Sequence, residues 1–169
     1  MQKTIRVVIG DDHVLVLEGL HKILEEHFEI VGTATNGREL VAAANRLAPD
    51  VVLADMSMPI LNGVEAARQI LAAQPKAKII MLTQNVDRDN AHAAFDAGAA
   101  GYVVKQSAVK ELVDAVRRVV AGEYYVSPLL VNRDTAAHLD SRTNPRDLFT
   151  RSLTARQREV LQLVAEGKS

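Results

Sequence analysis

The sequence contains no cysteine. It therefore forms no disulfide, offers no thiol nucleophile and cannot build a cysteine-ligated zinc site. It also lacks an excess of charge of either sign. The formal net charge is -1, so no global basic field draws nucleic acid or an anionic membrane. No apolar run approaches the length of a membrane span. Met1–Thr4 lead straight into "IRVVIG" without a cationic, apolar leader. What is present is an ordinary globular mix, 48% hydrophobic and 24% charged, in 169 residues. That fills the core of one domain, with room for a small second unit. A soluble cytoplasmic protein is expected, with no membrane partner.

Apolar runs of strand length alternate with stretches of helical period. Ile5–Gly10, Glu29–Ala34, Val51–Asp55, Lys78–Thr83 and Gly101–Lys105 read as strands. Several are near-continuous Val, Ile or Leu, as expected when both faces of a parallel sheet are covered. Helices are predicted from His13 to His27, Asn36 to Ala48, Asn62 to Gln74, Asp87 or Asp89 to Ala97, and Ser107 to Ala121. Asn36 with Glu39 and Asn62 with Glu65 have capping-box spacing, while Pro49, Pro75, Gly98 and Gly122 stop helices. The order is βα five times, an α/β doubly wound parallel sheet. Sites in such sheets lie beyond the carboxyl ends of the strands.

Those ends carry chemistry. Strand one ends in Asp11–Asp12, strand three in Asp55, strand four in Thr83 and strand five in Lys105. Taken singly, each has a bland reading as a cap, loop carboxylate, strand residue or solvated charge. As a set they do not. Three carboxylates brought together raise their own pKa values unless a cation sits among them, and Mg²⁺ with oxygen ligands is the cation that such a set holds. A carboxylate flanked by a divalent ion, an ammonium and a hydroxyl can attack phosphorus and form an aspartyl phosphate.

On "GDDH", "VVLADMSMPILNG", "LTQ" and "AGAAGYVVK", in that order, the stretch from Ile5 to about Ala121 resembles the receiver domain of two-component response regulators. The resemblance implies a flavodoxin-like sheet of strand order 2-1-3-4-5. It implies a phosphoacceptor rather than an enzyme, apart from slow loss of its own phosphoryl group, and a sensor histidine kinase as partner. Asp55 is then the phosphoacceptor. Asp12, Asp55 and the Ser57 backbone carbonyl are the Mg²⁺ ligands, with Asp11 acting through water. Thr83 and Lys105 bind phosphoryl oxygens, and Tyr102 is an aromatic switch that moves with Thr83. The chain departs from the usual pattern at Gln84, where family members carry a small residue that leaves the phosphoryl group accessible, so transfer is expected to be slower. Gln106 stands where many members have a cis proline, and a trans bond is expected. Ser57 and Asn85 occupy positions that tune the lifetime of the phosphorylated state. The five histidines, His13, His21, His27, His92 and His138, show no metal-ligand spacing and read as surface or helix-packing residues.

Beyond the receiver unit (1–122) lies a linker (123–152) with room for a short helix after Pro128. "DSRTNPRDLFTRS" in it has the polar, proline-bearing composition of a connection. Residues 153–169, "LTARQREVLQLVAEGKS", resemble the opening of a LuxR-type helix-turn-helix unit of the NarL/FixJ kind. The resemblance implies a transcription-regulating output in the full-length protein, acting on promoter DNA, and a homodimer. The helix that reads bases is the second of such a motif, and it lies beyond Ser169, so no DNA-recognition residue is expected in this chain. The terminal "GKS" is not a phosphate-binding loop, because Gln162 stands where that motif needs glycine.

Other classes fit less well. Haloacid-dehalogenase-type phosphatases need D-x-D after strand one, and flavodoxin-like FMN carriers need a neutral phosphate loop where "GDDH" stands. A receiver-like interaction module working without phosphorylation is favoured only by Gln84.

Overall fold

A computed structural model describes residues 3–131 and 140–150. The strands are β1 (Arg6–Gly10), β2 (Glu29–Ala34), β3 (Val51–Asp55), β4 (Lys78–Thr83), β5 (Gly101–Val104) and β6 (Tyr125–Val126). They form one parallel sheet of order β2-β1-β3-β4-β5-β6. The helices are α1 (Val14–Glu25), α2 (Gly37–Leu47), α3 (Gly63–Ala73), α4 (Arg88–Asp96), α5 (Ala108–Val120) and α6 (Arg146–Thr150).

Side chains alternate across the strands and so feed two cores. Val8, Val52, Ala54, Ile79, Met81 and Tyr102 face α2, α3 and α4. Val7, Ile9, Val51, Leu53, Ile80, Leu82 and Val103 face α1 and α5. Both faces of β3 are buried, which explains its unbroken apolar run.

Helix starts follow the side-chain chemistry. Asn36 accepts from the Glu39 N–H at 2.8 Å, and Asn62 accepts from the Glu65 N–H at 2.9 Å. The Glu39 carboxylate reaches Thr35 rather than the cap residue, accepting from its N–H and its hydroxyl at 3.1 Å each. Those bonds hold its pKa below the usual carboxylate range. Asp87 caps α4, accepting from Asp89 N–H and Asn90 N–H.

Three expectations change. Ser107 makes no side-chain cap. Instead a 3₁₀ turn (Lys105–Ser107) follows β5, which ends at Val104, and leads into α5. β6 adds a sixth strand on the open edge of β5, held by Tyr125 N–H to Ala100 O and Ser127 N–H to Tyr102 O, 2.9 Å each. Its two residues are too short for any periodicity to register. The polar connection after Asp140 contains α6, which packs on α4. Pro128–Leu130 form a 3₁₀ helix, in keeping with the short helix expected there, and no cis peptide occurs among the described residues. The helix-turn-helix resemblance (153–169) lies outside the described residues.

Gly37 opens α2 against the loop before α3, and a Cβ there would sit 1.8 Å from the Leu61 carbonyl oxygen. Gly19 in α1 has nothing within 4 Å. In urea denaturation, Gly37→Ala should lose about 1–3 kcal/mol, whereas Gly19→Ala should gain about 0.5–1 kcal/mol.

Candidate functional site

Gly63, at the start of α3, donates its N–H to Met56 O at 3.2 Å, and a Cβ there would lie 2.4 Å from Asp55 O. Glycine thus lets α3 begin directly against the loop that carries Asp55. Asp55 itself is 3% exposed at the end of β3, and Asp11, at the end of β1, is fully buried.

One ammonium bridges these two carboxylates. Lys105 Nζ lies 2.7 Å from Asp11 Oδ2 and 3.2 Å from Asp55 Oδ2. Asp55 Oδ1 accepts from the Ser57 N–H at 3.2 Å, and Asp11 Oδ1 accepts from the His13 N–H at 2.9 Å. Burial pushes the Asp55 carboxyl above its usual range. The Ser57 N–H and Lys105 oppose that shift, and the neighbouring Asp11 adds to it.

The carboxylates of Asp11, Asp12 and Asp55 and the imidazole of His13 all lie within 4.8 Å of one another. Asp11 Oδ2, Asp12 Oδ1 and Lys105 Nζ are buried without a directed hydrogen bond. Charge alone holds them, and one ammonium cannot balance three carboxylates. A hard divalent cation fits this oxygen-rich cluster.

His13 is exposed, as the surface reading expects, but it also stands beside the carboxylates, while His138 lies outside the described residues. The His13 Nδ1 lies 3.2 Å from Asp12 Oδ1 and 3.4 Å from Asp11 Oδ1. Spacing among the histidines could not reveal this, because the partners are carboxylates. The available signal was adjacency in "GDDH".

The remaining expected residues fall at the same end of the sheet. The Thr83 hydroxyl accepts from the Asn85 N–H at 3.3 Å and donates to the Asn85 carbonyl at 3.2 Å. Gln84 is exposed in the loop that follows. Tyr102 is fully buried, and its hydroxyl donates to Asp87 O at 3.5 Å. Burial pushes its phenol pKa up, and the Thr83 hydroxyl nearby works the other way.

The raised Asp55 pKa carries a sign. Its ionised form costs stability in the folded state, so stability is highest below the unfolded Asp pKa and falls as pH rises through the folded value. Asp55→Asn should therefore be more stable than the wild type at pH 7. The difference should shrink as the pH is lowered through the carboxylate range, followed by urea midpoints.

Comparison with known proteins gives a consistent picture. A family model described as the response regulator receiver domain matches residues 7–117. Response regulator protein VraR of Staphylococcus aureus is 34% identical over 168 residues, covering 98% of this chain and 78% of that protein. A solved LuxR-family two-component response regulator from Aurantimonas sp. is 34% identical with a TM-score of 0.73, over 76% of this chain and 93% of that one. The RcsB response regulator of Salmonella typhimurium aligns over 98% of this chain and 79% of its own, at 27% identity and a TM-score of 0.72.

Proposed function

The chain belongs to the response regulator receiver family of two-component signalling, and we propose that Asp55 is its phosphoacceptor. A phosphohistidine of a sensor histidine kinase is the donor. An Asp55 carboxylate oxygen forms the new bond to phosphorus, the P–N bond breaks, and the departing imidazole takes a proton. The observation that carries this reading is the buried Asp55 carboxylate, held 3.2 Å from Lys105 beside two further carboxylates.

Mg²⁺, when bound, supplies charge neutralisation for the transfer. Asp12, Asp55 and the Ser57 carbonyl would hold it, with Asp11 acting through water. Lys105 turns from its carboxylate partners toward the phosphoryl oxygens, and the Thr83 hydroxyl donates to them. Tyr102 moves with Thr83. Gln84 restricts approach to the acceptor, and Asn85 and Ser57 set how water reaches the product.

Exposed apolar side chains support a docking partner at this end of the sheet. They are Val14 and Leu15 in the first turn of α1, Ile60 after β3, Val86 after β4 and Val109 in the first turn of α5. Ile60 is also a β-branched residue at φ 70°, an outlier that a functional loop can retain. The output is regulation of transcription, in a cytoplasmic setting. Promoter binding belongs to the full-length protein, and homodimerisation is part of the same proposal. Among the described residues no helix is long and apolar enough to cross a membrane.

Incubation with Mg²⁺ and acetyl phosphate should add one phosphoryl group by intact mass, and Asp55→Ala should add none. Gln84→Ala should label several-fold faster than the wild type. A folded wild type that gains no mass would refute the phosphoacceptor assignment and leave a module regulated by protein contacts.

A further inference from the structure

Helices α2, α3 and α4 each start on a residue whose side chain caps them: Asn36, Asn62 and Asp87. α1 does not. His13 holds its N-cap position and makes no side-chain cap bond, where Asn, Asp, Ser and Thr are the favoured residues. Packing does not call for an imidazole either, because the His13 side chain is 57% exposed. The turn itself is made by the main chain. The His13 N–H donates to Asp11 Oδ1, and the His13 carbonyl accepts from the Leu17 N–H, at 2.9 Å each. Any residue with an N–H would supply both bonds.

The imidazole turns toward the carboxylates instead. Its Nδ1 is the nitrogen that faces both Asp12 Oδ1 and Asp11 Oδ1. One ligand atom from each of Asp11, Asp12, His13 and Asp55 lies within 4.8 Å of the other three. Donors on opposite sides of a small divalent ion stand about 4–4.5 Å apart, twice a metal–ligand bond. The four groups therefore surround a volume of one ion's size. Asp11 is fully buried, and its Oδ2 points into this cluster with no directed hydrogen bond.

Resting on the phosphoacceptor reading, we propose that His13 Nδ1 is a ligand of the ion at this site and sets its specificity, favouring a first-row transition ion such as Mn²⁺ over Mg²⁺. Mg²⁺ is a hard ion that takes oxygen donors and gives up its waters reluctantly. Neutral imidazole is a softer nitrogen donor, suited to first-row transition ions. Mn²⁺ shares the octahedral, carboxylate-rich preference of Mg²⁺ and accepts nitrogen more readily. The oxygens of Asp12, Asp55 and Ser57 serve both ions alike. The imidazole is the donor that tells them apart.

Mn²⁺ and Mg²⁺ are titrated calorimetrically into the full chain, as wild type and as His13→Ala, at about pH 8, where free imidazole is neutral and open to a metal. The Mn²⁺ complexes are then frozen for electron spin-echo spectroscopy, which detects a directly bound nitrogen. Each form is also labelled with acetyl phosphate and weighed. The wild type should show a bound nitrogen and His13→Ala none. The variant should lose roughly tenfold or more in Mn²⁺ affinity, and far less in Mg²⁺ affinity. A wild type without bound nitrogen, a nitrogen signal that persists in the variant, or equal changes for the two ions would overturn the assignment. A gain for both ions in the variant would also overturn it, by showing the imidazole to be a competing partner of the carboxylates. In each of these cases labelling at Asp55 would leave the phosphoacceptor reading standing. A folded wild type that binds neither ion and gains no mass would refute both.

Discussion

Lys105 bridges two buried carboxylates, Asp11 and Asp55, and a third, Asp12, stands beside them. Everything at the carboxyl end of the sheet follows from that imbalance. Asp11 and Asp55 are brought out of water by β1 and β3, adjacent interior strands whose apolar runs fill both cores. Burying them with a single ammonium leaves negative charge that only a cation or a reaction can relieve. The fold therefore keeps the site in a state of unmet electrostatic demand. Its remedies, a divalent ion and a transferred phosphoryl group bound by Lys105 and Thr83, are the steps of the proposed chemistry.

β4 and β5 connect the site to the far side of the molecule. Thr83 ends β4 and Tyr102 lies on β5, paired in register with Met81 on the neighbouring strand. Tyr102 thus has its hydroxyl near the site and its ring in the α4 core. β6 closes the edge of β5, and Ser127 and Tyr125 secure it by donating to Glu111 Oε1 at 2.7 and 2.8 Å. That burial and the Glu111 contact push the Tyr125 phenol pKa well above its usual range. Of the described residues after α5, β6 pairs with β5 and α6 packs on α4.

Much of this was legible in the sequence because it rests on period and spacing. The long, apolar-periodic elements and the capping residues Asn36, Asn62 and Asp87 appear where the residues predicted them. Strand ends could be read, and with them Asp11, Asp12, Asp55, Thr83 and Lys105. What escaped depends on tertiary contact. His13 joins the carboxylates because α1 starts just after Asp12. β6 exists because β5 offers an unpaired edge, and α6 because Phe95 offers a ring to stack on. Two- and five-residue elements have no period of their own, so a polar stretch with a proline looked like a plain connection.

The most direct measurement of the electrostatic account is calorimetric titration of Mg²⁺ into the wild type and into Asp12→Ala at low ionic strength. The account predicts one binding site in the wild type and loss of most of its affinity in the variant, with the fold intact by circular dichroism. A folded wild type that binds no Mg²⁺, or an affinity indifferent to Asp12, would contradict it.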